Sequence, residues 1–233
     1  MIKPAGNTVF WAAFKYSIPV LLGYFAIGTA FGLLMSDAGY PWWLSLAMSL
    51  FMFAGAGQFM ALGLFAAGTG IWEAALVQLV LNARHIAYGF SMLKKFSNTG
   101  LLKYYLIFGM TDETFALLSS LNDEESAERK KFMVTVTALD HLYWTSGTLT
   151  GAFIGSIIPF NTDGIGYALT ALFVVLLVEQ ILRVRRPAVF IVSAVIAVLA
   201  VFILPARISL LAAIVLALGI SSFFSRHEQG ELS

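Results

Sequence analysis

The side chains able to do chemistry in this chain sit where the surrounding sequence is most apolar. Asn82-Ala83-Arg84-His85 interrupts an apolar run over 72–93, Asp112-Glu113 lies in the middle of 104–121, and Asp140-His141 lies in the middle of 132–158. A charged side chain near the centre of a bilayer costs roughly 2.5 to 3.5 kcal/mol on insertion scales, so each of these groups needs a compensating role. An arginine cannot shed its proton. Arg84 must therefore snorkel to an interface, pair with a carboxylate, or bind an anionic group of a substrate. Asp112 or Glu113 is its natural partner. Carboxylates at such depth also relay protons, while a static ion pair holding two helices in register is the structural alternative. Asp140 beside His141 is the candidate pair for proton coupling, because histidine titrates near physiological pH. A hydrogen-bonded core histidine is the plainer alternative for His141.

These groups must be positioned by a membrane-embedded scaffold. Hydrophobic residues make up 59% of the 233 and charged residues only 12%, against about 45 to 50% and about 25% in an ordinary soluble domain, so the excess apolar surface faces lipid. The composition predicts an all-α polytopic membrane protein of one transmembrane domain over 17–224, with a cytoplasmic segment 1–16 and a short cytoplasmic tail 225–233. Strands of about ten alternating residues are absent, which excludes an outer-membrane barrel. Lys3 and Lys15 precede an apolar run from Ser17 without a small-residue cleavage site, so an uncleaved first span is expected. There is no cysteine, hence no disulfide, thiolate metal site or cysteine nucleophile. The net charge of +1 speaks against a nucleic acid partner. No zinc-protease helix motif, nucleophile elbow or phosphate-cradling loop occurs, so the chain is expected to be no enzyme, to hold no metal and no cofactor, and not to hydrolyse ATP itself.

Eight apolar runs are candidates for spans, at 17–35, 42–68, 72–93, 104–121, 132–158, 167–182, 188–204 and 208–224. Turn-forming residues separate them at Asp37 to Pro41, Gly68 to Gly70, Ser97 to Gly100, Pro159 to Gly166, Pro187 and Pro205, and the longest polar loop runs from Asn122 to Lys131. Lys and Arg cluster at the N-terminus, at Lys94, Lys95 and Lys103, at Arg129 to Lys131, at Arg183 to Arg186 and at Arg226. The positive-inside rule puts all of them, and both termini, in the cytoplasm, with Arg207 alone outside. Residues 42–93 then make one net crossing although they hold two full-length apolar runs, and 104–121 enters and returns. Broken or re-entrant helices, about six to eight transmembrane segments in all, account for both anomalies, and the breaks fall at Gly55 to Gln58 and near Met110-Thr111. An external loop 122–131 that violates the rule is the alternative.

Helical spacing sorts the polar residues. Gln78, Asn82, His85 and Gly89 share one face of a helix, and Arg84, Tyr88 and Ser91 form a second stripe. Thr137, Asp140, His141, Trp144, Thr145 and Thr148 share a face that reads as cavity lining. Gly147, Gly151 and Gly155 recur every four residues and, like Gly28 and Gly32, read as close helix packing. Glu73, and Glu179 and Gln180 next to Arg183, read as interfacial. A weak internal repeat pairs Gly28 to Gly32 with Gly151 to Gly155, each followed by a glutamine, Gln58 and Gln180.

Phe53-Ala54-Gly55-Ala56-Gly57-Gln58-Phe59, the run from Asn82 to Ser91, Thr111-Asp112-Glu113-Thr114-Phe115-Ala116 and the run from Trp144 to Ala152 resemble, in order and spacing, the AzlC-type branched-chain amino acid permease family. The resemblance spans about Lys15 to Phe224. It implies a bacterial inner-membrane exporter of valine, leucine and isoleucine that works with a small AzlD-type membrane subunit. The family more often has Gly-Ser-Ala-Gln where Gly55-Ala56-Gly57-Gln58 stands and Asn-Leu-Arg-His at Asn82 to His85, which bears on substrate preference. A zwitterionic substrate then needs a cation for its carboxylate, from Arg84 or from amides near Gly55 and Gly57. It needs Asp112 or Glu113 for its ammonium, and Phe53, Phe59, Phe115 and Trp144 for its side chain. Gln58, Asn82, His85 and Tyr88 complete the expected substrate-binding set. Another small zwitterion or an organic anion as cargo, a non-transporting scaffold and an intramembrane enzyme remain the rival readings.

Overall fold

The structure, a computed structural model, describes residues 6–121, 126–158, 174, 178, 181, 187–203 and 216. The expected runs 167–182 and 208–224 fall almost wholly outside the described residues. Lys3, residues 122–125 of the polar loop, the turn at Pro159 to Gly166, Glu179, Gln180, Arg183, Arg185, Arg186, Pro205, Arg207, Arg226 and the tail 225–233 lie outside them too.

Among the described residues every regular element is helical: α1 Gly6–Asp37, α2 Trp42–Phe51, α3 Gly55–Ala66, α4 Ile71–Phe96, a short 3-10 turn Ser97–Thr99, α5 Leu102–Phe108, α6 Asp112–Ser119, α7 Ala127–Ile157 and α8 Pro187–Ile203. By length and composition, among the described residues α1 alone holds a stretch fit to cross a membrane, Thr8–Asp37, and α2, α3 and Phe190–Ala200 are shorter apolar helices. The run 42–68 is two helices, of 10 and 12 residues, and 104–121 is two, of 7 and 8. At 1.5 Å per residue none of these four reaches the ~30 Å of a hydrocarbon core. Asn82 to His85, in contrast, lies within the continuous 26-residue α4.

Local chemistry explains where the helices stop. Pro41, extended at φ −70° and ψ 148°, opens α2 after a turn that Gly39 takes at φ 80°. Between α2 and α3 the chain passes through Phe53 at φ 36°, the one described residue other than glycine with positive φ. Such a backbone costs about 1 to 3 kcal/mol and persists only where its surroundings hold it. Helix α6 is fixed at both ends. Thr111 caps its N-terminus, its hydroxyl accepting from the Thr114 amide at 3.3 Å, and the Lys95 ammonium donates to the carbonyls of Ser119 and Leu121 at 2.8 Å each. Ser126 caps α7 in the same way as Thr111 caps α6, accepting from the Arg129 amide at 3.1 Å.

The chain divides into two compact units, one of Met1–Ala67 with Leu81–Thr162 and one of Gly68–Val80 with Asp163–Ser233. In the first, α1 and α7 form the most extensive helix pair. Their seam is made of glycine. A Cβ on Gly28 would lie 2.8 Å from the Trp144 carbonyl oxygen, one on Gly147 2.6 Å from that of Phe25, and one on Gly155 2.7 Å from Cβ of Ser36. A Cβ on Gly32 would run into the Thr148 carbonyl and one on Gly151 into the Thr29 carbonyl. Small residues at every crossing point let the two backbones touch, which is how helices gain packing energy where lipid supplies no hydrophobic contrast. Around that seam Phe31, Met35, Val136 and Thr148 are fully buried.

Candidate functional site

Helices α4 and α6 bring the charged residues together. Arg84 reaches from the middle of α4 to the first residue of α6, its Nη1 2.7 Å from Asp112 Oδ2. One turn further along α4, the Tyr88 hydroxyl donates to Asp112 Oδ1 at 2.6 Å, so both carboxylate oxygens are held from the same stripe. The Tyr88 ring stacks on Phe115 at 4.3 Å and 10°, and the His85 ring lies 6.0 Å from it. Asp112 also stands at a helix N-terminus, where the partial positive charge of the backbone amides favours a carboxylate. The Nε–H of Arg84 is buried and meets no acceptor among the described residues.

A second polar chain runs from α6 to α1 and α7. Glu113 Oε2 and Thr111 Oγ1 both lie against the Tyr24 hydroxyl, at 2.7 and 2.6 Å. The Thr111 hydroxyl donates to Thr114 Oγ1 at 2.9 Å, and Thr114 donates to Asp140 Oδ2 at 2.8 Å. Asp140 is fully buried and its other oxygen, Oδ1, has no hydrogen-bond partner among the described residues. His141, next in sequence, points elsewhere. Its Nε2 is 3.1 Å from the Ser49 carbonyl and its Nδ1 3.4 Å from the Tyr105 hydroxyl, and its ring lies 4.3 Å from Phe53. The first contact has a local cause. The Phe53 amide, which a continued helix would aim at Ser49, bonds to the Met48 carbonyl at 3.4 Å, and His141 takes up the carbonyl left over where α2 breaks.

The same break is held by a third cluster. Gln58, buried in α3, donates from Nε2 to Ser49 Oγ at 3.2 Å, and Ser49 in turn donates to Thr148 Oγ1 at 2.9 Å. The Gln58 Oε1 is buried without a partner. Gly55 opens α3 directly under Trp144, where a Cβ would lie 3.0 Å from the indole edge, and Gly57 is buried beside Gln58. Trp144 stacks with Phe31 at 6.5 Å and meets Tyr24 edge-on at 5.5 Å, and Phe59 completes the aromatic group against Phe31 at 5.3 Å. The Trp144 Nε1 is a further buried donor with no acceptor.

Of the residues singled out in the sequence, the structure therefore joins Arg84, Tyr88, Asp112 and Phe115 in one cluster. Gln58 and His141 join at the α2–α3 break. Glu113 and Asp140 come to opposite ends of one hydrogen-bonded chain, and Asn82 is half-buried on α4. The stripe that meets the carboxylate is Arg84 and Tyr88, four residues apart. Sequence reasoning passed over Tyr24, Ser49, Thr111 and Thr114 as site residues. Thr111 and Thr114 carried a usable signal: a threonine three residues before another, with two acids between, is an N-cap pattern.

Helices alone among the described residues, many large apolar side chains exposed on them and a partly enclosed ion pair are the features of a helical membrane protein, and its relatives carry that description. A Helicobacter pylori protein named "Uncharacterized membrane protein" is 42% identical over 171 residues, 73% of this chain and 75% of the relative. The "Branched-chain amino acid transport protein AzlC" of Bacillus subtilis is 38% identical over 180 residues, 76% of this chain and 71% of the relative. The "Inner membrane protein YgaZ" of Escherichia coli is 30% identical over 210 residues, 85% and 83%. The family model described as "AzlC protein" matches residues 19–158. The chain belongs to the AzlC family. No solved structure matches it.

Proposed function

We propose that the chain is a secondary transporter of the bacterial inner membrane, multi-pass with both termini cytoplasmic, that exports branched-chain amino acids such as valine, leucine and isoleucine together with a small AzlD-type membrane subunit. The observation that carries the reading is the Arg84–Asp112 pair with an Arg84 Nε–H to spare. A zwitterion is the ligand that such a pair can open for: its carboxylate takes the guanidinium and its ammonium takes Asp112, with Glu113 one residue away. Charge is then conserved inside the site at every stage, and neither partner of this partly enclosed pair is left without a counter-charge. The unwound backbone at Gly109 to Thr111 and at Met52 to Ala54 gives both clusters a hinge, as broken helices do in other transporters. Phe115, Phe53, Phe59 and Trp144 supply apolar surface for a branched side chain. Asp140 and His141 are the candidates for proton coupling. The name of the Bacillus subtilis relative supports the substrate class.

The test is counterflow in proteoliposomes holding the purified chain with and without its small subunit, across a panel of amino acids and small organic anions. Trans-stimulated movement of valine, leucine and isoleucine is expected. Movement of an anion panel alone, or of nothing, removes the reading.

A further inference from the structure

The oxygens of Glu113, Tyr24, Thr111, Thr114 and Asp140 follow one another at 2.7, 2.6, 2.9 and 2.8 Å. All four distances fall in the normal range for O–H···O bonds. Tyr24, Thr111, Thr114 and Asp140 are buried, whereas Glu113 is exposed. The series begins at the surface of the chain, ends on a carboxylate with no surface at all, and passes through hydroxyls, each of which both donates and accepts.

We propose that Tyr24, Thr111 and Thr114 are a proton relay joining Glu113 to Asp140. The inference rests on the reading of Asp140 as a coupling residue. With Glu113 protonated and Asp140 ionised, Glu113 donates to Tyr24, Tyr24 to Thr111, Thr111 to Thr114, and Thr114 to Asp140. A concerted shift then breaks the O–H bond of Glu113 and forms one on Tyr24. The Tyr24, Thr111 and Thr114 protons each move one oxygen on, and the last forms the O–H bond of Asp140. One proton crosses, no hydroxyl gains or loses one, and the negative charge passes from Asp140 to Glu113. Tyr24 is the pivot. It has a single proton and two acceptors within 2.7 Å, Thr111 before the shift and Glu113 after it.

A purely structural clamp between α1, α6 and α7 would explain the same bonds but not their end. Asp140 keeps Oδ1 buried without a partner, a cost of about 1 to 3 kcal/mol that a stabilising network would have removed. The titratable groups near enough to sense Asp140 are Glu113 on α6, Tyr24 on α1, Tyr105 on α5 and Tyr143 on its own helix, with His141 adjacent in sequence. None is a cation paired to it among the described residues.

The test reads protonation directly. In lipid nanodiscs, the carboxylic acid band of Asp140, assigned with Asp140→Asn, is followed by infrared spectroscopy after a pH jump. Tyr24→Phe keeps the ring that meets Phe53 and Trp144 and removes only the bridging oxygen, and Thr114→Val does the same one step later. Both are expected to slow the band by at least about tenfold, equivalent to ~1.4 kcal/mol in the barrier, while Thr114→Ser restores the rate. An unchanged rate in Tyr24→Phe overturns the relay, and so does a Thr114→Ser variant as slow as Thr114→Val. Because this readout needs no transported substrate, failure of the relay and failure of the transport reading are told apart. Loss of valine movement driven by a pH gradient in Tyr24→Phe, with valine counterflow retained, supports both.

Discussion

Arg84 and Asp112 meet at 2.7 Å between the middle of one helix and the first residue of another. The pair is only partly enclosed, about a quarter of each side chain remaining accessible, which is what an exchangeable pair requires. Arg84→Ala is expected to leave the chain folded, as judged by gel filtration in detergent, and to lower valine counterflow by at least about tenfold. Arg84→Lys should fall between, because a lysine keeps the charge and loses the planar fork. Wild-type counterflow in a folded Arg84→Ala protein removes Arg84 from the site.

The glycine seam gives a prediction about stability. Adding a methyl group at Gly32 or Gly151 drives a Cβ into a backbone carbonyl, and overpacking of that kind costs typically 1 to 3 kcal/mol or more. Gly23 lies on α1 with nothing within 4 Å of an added Cβ, so Gly23→Ala should be neutral or slightly stabilising through helix propensity. Thermal unfolding in detergent should show melting points well below wild type for Gly32→Ala and Gly151→Ala, and not for Gly23→Ala.

His141 carries two expectations that differ in readout. As the group that accommodates the Ser49 carbonyl at the helix break, it should be replaceable by Gln at little cost to folding. As a coupling residue it should not be, and His141→Ala and His141→Gln should both lose the response of valine export to an imposed pH gradient. An unchanged response in His141→Gln leaves His141 as a cap and nothing more.

Thr111→Ala should fray the first turn of α6. Loss of an N-cap costs about 1 kcal/mol, and amide hydrogen exchange over residues 112–115 is expected to speed up accordingly, with exchange in α7 unchanged. Thr111→Ser, which keeps the accepting oxygen, should behave as wild type.

Much of this arrangement is legible in the residues, and what is not has physical reasons. Arg84 had to find a carboxylate because an arginine in an apolar run has few other ways to exist, and Asp112 was one of two choices. Lysine and arginine placement together with local glycine content pointed to breaks at Gly55 to Gln58 and near Met110-Thr111. The second lies at Gly109 to Thr111, whereas the first lies at Met52 to Ala54, and Gly55 to Gln58 instead form the first turn of α3. The orientation of α4 was harder. Asn82 and His85 form the more continuous polar stripe, yet Arg84 and Tyr88 face Asp112, because helix rotation is set by packing against neighbours that periodicity alone does not name. Tyr24 was hidden for a different reason: it is one of six hydroxyl side chains in the 32-residue α1, nothing in their spacing sets it apart, and only the fold brings α6 to it.

The close contact between α1 and α7 also sets a timetable. Ser17 and Tyr143 hydrogen-bond across it at 3.1 Å although 126 positions separate them. At 5 to 20 residues per second, the ribosome needs roughly 6 to 25 s between making the two. For that interval α1 stands without its partner, its glycine notches uncovered by α7, and a nascent chain arrested before α7 should be the form most readily degraded by membrane proteases.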